Sequence, residues 1–269
     1  MKTLIIEAIR QLIFPGRTTQ LVVLLIFSIV ILVGIWLGSR GKEIELRPLP
    51  AINAMVEAIG RAAELGKPIH FNPGWYSLDS VEAPQTVAAL SIFNYIMKHA
   101  VEADVRVITT LIRPDIIPLI DDIMRSAYAA SGKLESYRSD DIRYISGEQF
   151  AYIGGVAKIF REESPAATIA LGGFMAYSLL LMETAHSYGQ FKIGGTASWH
   201  QIPFFAATAD YVLIGEELYA AGAYTADDPY LKGSILGQDI EKIITILLLI
   251  VGMLLSALRS TLFFDFLRW

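Results

Sequence analysis

The chain has 269 residues, a formal net charge of −5 and a hydrophobic fraction of 54%. It contains no cysteine, which excludes disulfides, thiolate metal sites and cysteine nucleophiles and is consistent with a reducing compartment. Residues 39–240 hold 16 Lys and Arg against 24 Asp and Glu. This acidic balance argues against nucleic acid as a partner, because its phosphates would be repelled.

Two apolar segments predict membrane-spanning helices. Thr18–Ser39 carries no charged side chain, and its 22 residues at about 1.5 Å each match a hydrocarbon core of roughly 30 Å. Ile243–Leu258 is also uncharged but shorter, and a buried core helix is the alternative for this segment. The first segment does not resemble a cleaved signal peptide, because it is too long and no small-residue cleavage site follows it.

The two ends of the chain predict segments that lie at the membrane surface. Residues 1–17 and 259–269 mix apolar side chains with Lys and Arg, although disordered tails are the alternative. The basic residues flanking the two spans nearly balance, so they do not orient the protein. We expect a two-pass protein of the cell membrane with residues 40–242 in the cytoplasm.

Each apolar segment also carries a pair of small residues at helical spacing. Such pairs let helix backbones approach closely, and they predict helix packing through Gly34, Gly38, Gly252 and Ser256. The first pair lies at the domain end of its span and the second toward the tail end. Because the two pairs lie at different depths, we expect them to meet another chain, which favours a homo-oligomer.

Residues 40–242 alternate short apolar runs with long amphipathic runs, and no internal linker is evident. The predicted strands are Pro68–Phe71, Val105–Thr109, Ile142–Ile145, Thr168–Leu171, Phe191–Ile193 and Tyr211–Ile214. The predicted helices are Ala51–Leu65, Gln85–Ala100, Pro114–Ala130, Gly147–Phe160, Phe174–Tyr188, His200–Ala207 and Glu216–Tyr224. Each strand is followed by a helix, which predicts an α/β fold: a Rossmann-like, doubly wound, mainly parallel sheet covered on both faces.

In such sheets ligands bind at the carboxyl ends of the strands, where helix N-termini present free N–H groups. The residues that follow the predicted strands are rich in glycine, hydroxyls and chargeable groups. The candidates for ligand contacts are His70, Asn72, Gly74, Thr109, Arg113, Ser146, Glu148, Gly172, Gly173, Gly194, Gly195, Thr196, Glu216 and Glu217. The alternative for the paired glycines is that tight turns need residues without a side chain.

The chemistry of this edge is not specified by any known motif. The chain has no G-x-G-x-x-G after a strand and no G-x-x-x-x-G-K-[ST], and no spacing typical of a metal site, so the cofactor is unknown and no metal is predicted. His70 could carry a proton near neutral pH or bond a backbone carbonyl. Arg113 is the best-placed cation for an anionic ligand.

Three stretches, "AELGKPIHFNPG" (63–74), "LIGEELYAAGAYTADDP" (213–229) and "GSILGQDIEK" (233–242), resemble an uncharacterised family of bacterial and archaeal membrane proteins with a domain of unknown function. The resemblance implies two transmembrane helices flanking an α/β domain and transfers no catalytic residue.

Two functions follow as hypotheses. The first is a membrane-anchored, homo-oligomeric scaffold or partner-binding module that senses a small-molecule ligand at the strand ends. The second is a membrane-tethered Rossmann-like enzyme acting on a nucleotide or lipid-derived substrate. In that enzyme His70, Glu148 or Glu216 would serve as acid or base and Arg113 would hold an anion. The first hypothesis leads, because no catalytic motif is recognisable in the chain.

Overall fold

The computed structural model describes residues 18–40, 48–226 and 228–258. The chain divides into two compact units, one of residues 1–45 with 228–269 and the other of residues 46–227. The first unit contains a pair of long apolar helices and the second is an α/β domain. The surface segments predicted at residues 1–17 and 259–269 lie outside the described residues.

The described residues form nine α-helices and six β-strands. The helices are α1 Thr18–Ser39, α2 Pro50–Leu65, α3 Ala83–Glu102, α4 Ile117–Ala130, α5 Gln149–Glu163, α6 Tyr177–Ser187, α7 Ile202–Thr208, α8 Glu217–Ala226 and α9 Pro229–Ala257. The strands are β1 Ile69–Asn72, β2 Val107–Leu111, β3 Ile142–Tyr144, β4 Ala167–Leu171, β5 Phe191–Thr196 and β6 Tyr211–Ile214. Every predicted strand and helix overlaps one of these elements.

The six strands form one parallel sheet in the order β3-β2-β1-β4-β5-β6. The chain therefore runs outward from β1 to β3, returns to β4 beside β1, and runs outward again to β6. This confirms the predicted α/β sheet and makes it doubly wound. The strand order reverses between β1 and β4, which is the point where doubly wound sheets bind ligands.

Helices cover both faces of the sheet, so alternate residues of each strand enter different cores. Ile69 and Phe71 of β1 pack with helices α2, α3, α4 and α8 on one face. On the opposite face, helices α5, α6 and α7 contribute a second buried cluster that includes Tyr152, Tyr177 and Phe205. His70 and Asn72 alternate with Ile69 and Phe71, and their hydrogen bonds to this second face place polar groups between the sheet and α5 and α6.

Most elements differ slightly from their predicted bounds, and three of the differences change the description of the fold. β5 continues to Thr196, because Gly194 and Gly195 pair with β4 and β6 and lie inside the strand rather than after it. The helix predicted from Pro114 begins with a 3-10 turn, Pro114–Ile116. The second apolar helix begins at Pro229, well before the uncharged segment, with the Asp228 carboxylate accepting a hydrogen bond from the Tyr230 N–H at 2.7 Å.

Helices α1 and α9 are long and apolar enough to cross a bilayer, and they pack against each other. Gly34 and Gly38 do not need a second chain as partner, because they contact Gly233 and Gly237 of the same chain. A Cβ atom on Gly34 would lie 2.9 Å from the nitrogen of Gly237, and one on Gly38 would lie 3.2 Å from the Cα of Gly233. This contact removes the argument for a homo-oligomer that rested on Gly34 and Gly38.

Candidate functional site

The loops that follow β1 and β4 meet at the point where the strand order reverses. The Trp75 N–H donates to the Gly173 carbonyl at 2.7 Å, so the two loops are joined by a backbone hydrogen bond. Gly172 has a φ of +129°, a backbone conformation that residues with a side chain rarely adopt. A Cβ atom on Gly74 would lie 3.1 Å from the nitrogen of Gly173, so a side chain there would press against that backbone. These glycines allow two backbones to touch directly over the ends of the central strands.

Arg113, the predicted anion anchor, is tied to the same loop. Its Nε donates to the Trp75 carbonyl at 3.1 Å, and its guanidinium lies 5.3 Å from the centre of the Trp75 ring. Beside it, the Tyr76 hydroxyl contacts the Met175 sulfur at 3.3 Å. Side chains from the loops after β1, β2 and β4 thus lie against one another at this edge.

Asn72 is the centre of a buried polar network directly beneath these loops. Its Nδ2 donates to the Thr110 carbonyl at 3.1 Å and to the Tyr152 hydroxyl at 2.6 Å. Its Oδ1 accepts from the Gly74 N–H at 2.9 Å and from the Tyr177 hydroxyl at 3.3 Å. One fully buried amide therefore connects β1 to β2, to its own loop, and to helices α5 and α6.

His70 extends the network one step toward the amino end of β1. Its Nε2 lies 2.7 Å from the Thr110 hydroxyl and its Nδ1 lies 3.2 Å from the Thr168 hydroxyl. Burial lowers the pKa of His70 from 6.5 to about 3, because the charged imidazolium would lose its hydration. Its partners are side-chain hydroxyls rather than the backbone carbonyl that the sequence suggested. A histidine that ionises near pH 3 stays neutral at physiological pH.

All the groups of this network are uncharged and buried. The Thr168 hydroxyl also donates to the Gln190 side chain, and the Thr110 and Tyr152 hydroxyls are hydrogen bonded to each other. Burial raises the pKa of the Tyr152 phenol and of the Tyr177 phenol, so both stay protonated. We call these residues the central network: His70, Asn72, Thr110, Tyr152, Thr168, Tyr177 and Gln190.

Gln85 organises a second group of polar contacts, around the end of β5. Its Oε1 accepts from the Ala197 N–H at 2.8 Å and from the Thr196 hydroxyl at 3.2 Å. Its Nε2 donates to the Ser198 hydroxyl at 3.1 Å and also to the Glu82 carboxylate. The first turn of α3 is thereby fixed to the loop after β5, and Thr196 is the only sequence-predicted candidate in this group.

The structure brings together part of the predicted set. His70, Asn72, Gly74, Gly172 and Gly173 lie at the junction of β1 and β4, with Arg113 above them. Ser146 and Glu148 lie in the turn before α5, where the Glu148 N–H donates to the Ser146 hydroxyl at 3.0 Å. The Glu217 carboxylate accepts from the Ile214 N–H at 3.0 Å and closes the turn after β6, while Glu216 beside it is exposed.

Three other candidates, Thr109, Gly194 and Gly195, lie within strands of the sheet rather than in the loops at its edge. Thr109 alternates with Thr110 and is buried on the opposite face of the sheet, and its hydroxyl has no hydrogen-bond partner among the described residues. A Cβ on Gly194 would lie 3.0 Å from two ring carbons of Phe205 and closer still to a third, and one on Gly195 would lie 2.8 Å from the Leu171 side chain. Gly194 and Gly195 therefore make room for packing rather than for a turn.

The sequence prediction missed a set of exposed apolar side chains at this edge. Val81 lies in the loop after β1, Phe150 at the start of α5 after β3, and Trp199 in the loop after β5. They are 96%, 82% and 81% exposed, the highest values for large apolar side chains in the described part of the α/β domain. We call these three residues the apolar tips. They share the carboxyl edge and span roughly 20 Å, since β3 and β5 are four strand spacings apart.

The chain was also compared with known proteins. The model of one family, described as Domain of unknown function (DUF6754), matches residues 9–267. No curated protein and no solved structure matches the chain. Within the described residues, no three His, Asp or Glu side chains are grouped as metal ligands would be.

Proposed function

We propose that this chain, which belongs to the DUF6754 family, is a membrane-anchored module that binds a protein partner through the carboxyl edge of its sheet. The description of the family assigns no activity, so the proposal is argued from the structure of the chain. The observation that carries this proposal is the location of the apolar tips. Single exposed apolar residues are common on protein surfaces, but here the three most exposed ones in the domain occupy one edge.

The anchor in this proposal is the pair of helices α1 and α9. The 22 residues of α1 would extend about 33 Å, enough for a hydrocarbon core of roughly 30 Å. Apolar side chains of α1 point away from α9, among them Leu24 and Leu32, which are 61% and 63% exposed. A bilayer would cover these side chains, whereas water would leave them unfavourably hydrated.

The polar groups at the carboxyl edge favour binding by surface contact over chemistry inside a cleft. The Asn72 amide makes four hydrogen bonds within the protein, and Arg113 is bonded to the Trp75 carbonyl. The apolar tips, in contrast, are free to be buried by another protein. Their spread of roughly 20 Å fits a patch of about 800 Å², which is the usual contribution of one partner to a stable interface.

The test replaces the apolar tips together. In a V81S/F150S/W199S variant of the full chain, extracted in mild detergent, we expect the native mass to fall to that of the single chain. The wild type should instead retain a partner, either a second copy or another protein of defined mass. An L65S/L134S variant is the matched control, because these side chains are 61% and 51% exposed at the opposite edge of the sheet. Retention of the same complex by the triple variant would contradict the proposal, as would a wild type that is a monomer.

A further inference from the structure

The glycine contacts fix the axial register of α1 against α9. Gly38 lies against Gly233, and one turn further along the pair Gly34 lies against Gly237. A Cβ on Gly237 would also lie 2.8 Å from the Cα of Ile31. The helices are thus antiparallel, and each turn toward the start of α1 corresponds to a turn toward the end of α9. By this register residues 239–242 lie level with roughly residues 26–29, the middle of α1.

This register places charges of α9 beside the middle of an uncharged helix. Asp239, Glu241 and Lys242 precede the uncharged part of α9, while α1 has no ionisable side chain from Thr18 to Ser39. If α1 crosses the bilayer, as the proposed anchoring requires, these three residues lie near the midplane. Ionisable residues at that depth are costly and mark sites that take up ions or protons.

Glu241 is the member of this group that faces α1. It follows Gly237 by one turn and so lies on the same side of α9. Its Oε1 is fully buried and has no hydrogen-bond partner among the described residues. Asp239 and Lys242 point to the outer side, with Lys242 Nζ 2.8 Å from the Asp239 carboxylate. No titratable group of α1 between residues 18 and 39 faces Glu241.

We infer that Glu241 is a proton-binding site in the seam between α1 and α9. Binding of one proton from water converts the carboxylate to a neutral carboxylic acid, and release of the proton restores the negative charge. The neutral form suits an apolar seam, whereas the charged form must be solvated by drawing in water or by separating the helices. Packing of α1 on α9 therefore depends on the protonation of Glu241. The inference rests on the proposed membrane anchoring.

The test is modification of the full chain in liposomes with dicyclohexylcarbodiimide, which enters bilayers and reacts with protonated carboxyl groups. We expect mass spectrometry to find Glu241 modified, with the rate falling by about tenfold per pH unit once the group ionises. E241Q should lose this modification. E241D, which keeps a carboxyl group, should retain it, and so should D239N. A water-soluble carbodiimide should leave Glu241 unmodified while it modifies exposed carboxylates such as Glu57, whose side chain is 53% exposed.

A second measurement separates failure of this inference from failure of the anchoring. The chain has no cysteine, so I29C and I240C variants report directly on exposure to a membrane-impermeant maleimide. Labelling of both variants in intact liposomes would show that the helices lie in water, and both proposals would then fail. Protection of both, with no dicyclohexylcarbodiimide product at Glu241 or with equal modification of E241Q, would overturn the proton site alone.

Discussion

Replacement of Asn72 by alanine tests whether the central network holds the carboxyl edge together. The variant removes the side chain that receives the Gly74 N–H and the Tyr177 hydroxyl. Neither donor has another partner within the central network. The Tyr152 hydroxyl would keep its bond to Thr110. Two buried donors are therefore left without an acceptor.

The magnitude follows from the cost of burying unpaired donors. Each costs about 1–3 kcal/mol, so N72A, which leaves two of them, should lower the free energy of unfolding by about 2–6 kcal/mol. Y152F is the comparison, because it orphans no group: Thr110 keeps His70 and Asn72 keeps the Thr110 carbonyl. Its cost should be about 1 kcal/mol. For a domain of this size each kcal/mol lowers Tm by about 2–4 °C, so N72A should lower it by about 10 °C.

The assay is thermal unfolding of the full chain in detergent micelles, followed by circular dichroism. Asn53 provides a matched control, because it is exposed on α2 and N53A should leave Tm nearly unchanged. The reasoning would be refuted if N72A cost no more than Y152F. That result would mean that the loops after β1 and β4 are held by their backbone contacts alone.

Three further predictions concern packing, pH and charge. G194A should destabilise the fold by about 1–3 kcal/mol, because the added methyl group would overlap the buried Phe205 ring. G154A should stabilise the fold by about 0.5–1 kcal/mol, because Gly154 lies on a helix with open space around it, and the Tm of each variant checks the prediction. Because the pKa of His70 is about 3 when folded and 6.5 when unfolded, the unfolded chain binds the extra proton between these values. Stability should therefore fall as pH drops through this window, by up to about 1.4 kcal/mol per unit, and H70Q should lack this contribution in unfolding measured from pH 7 to pH 4. R106M should cost about 2–4 kcal/mol in denaturant unfolding, because it strands the buried Asp141 carboxylate, and R106M/D141N should recover part of the loss.

Most of the fold follows from local patterns in the sequence. Short apolar runs with β-branched residues, such as "TIAL" in β4 and "YVLI" in β6, identify strands. Helices with one apolar face separate these strands. The strand order was not specified by these patterns, since any doubly wound order buries the same runs. The predicted β5 is too short, because Gly194 in the sequence resembles a turn residue. In the structure the Phe205 ring fills the space that a side chain at residue 194 would need.

The candidate site was predicted only in outline. His70 and Asn72 were recognisable as polar residues at a strand end, but Tyr152 and Tyr177 lie in helices far along the chain and resemble ordinary core aromatics. Their hydroxyls become significant only once the sheet brings α5 and α6 over β1. Of the two roles considered for His70, burial favours the structural one, because a fully shielded imidazole stays neutral, and the sequence alone does not indicate this shielding.

The sequence carries a second glycine pair that matches the pair in α1. Gly233 and Gly237 have the same spacing as Gly34 and Gly38. The predicted domain boundary at residue 242 places Gly233 and Gly237 in the α/β domain, so the second predicted span contains only Gly252 and Ser256 as a small-residue pair. Continuity of the helix from Pro229 corrects this assignment.

The contact between these glycines also constrains the order in which the parts of the protein assemble during synthesis. α1 leaves the ribosome first, and its partner α9 follows only after the entire α/β domain has been synthesised. The domain is one continuous stretch of chain and can close its sheet during this interval. Until then the glycine face of α1 lacks the partner that it has in the folded chain, so the helix pair can form only after the α/β domain has been synthesised.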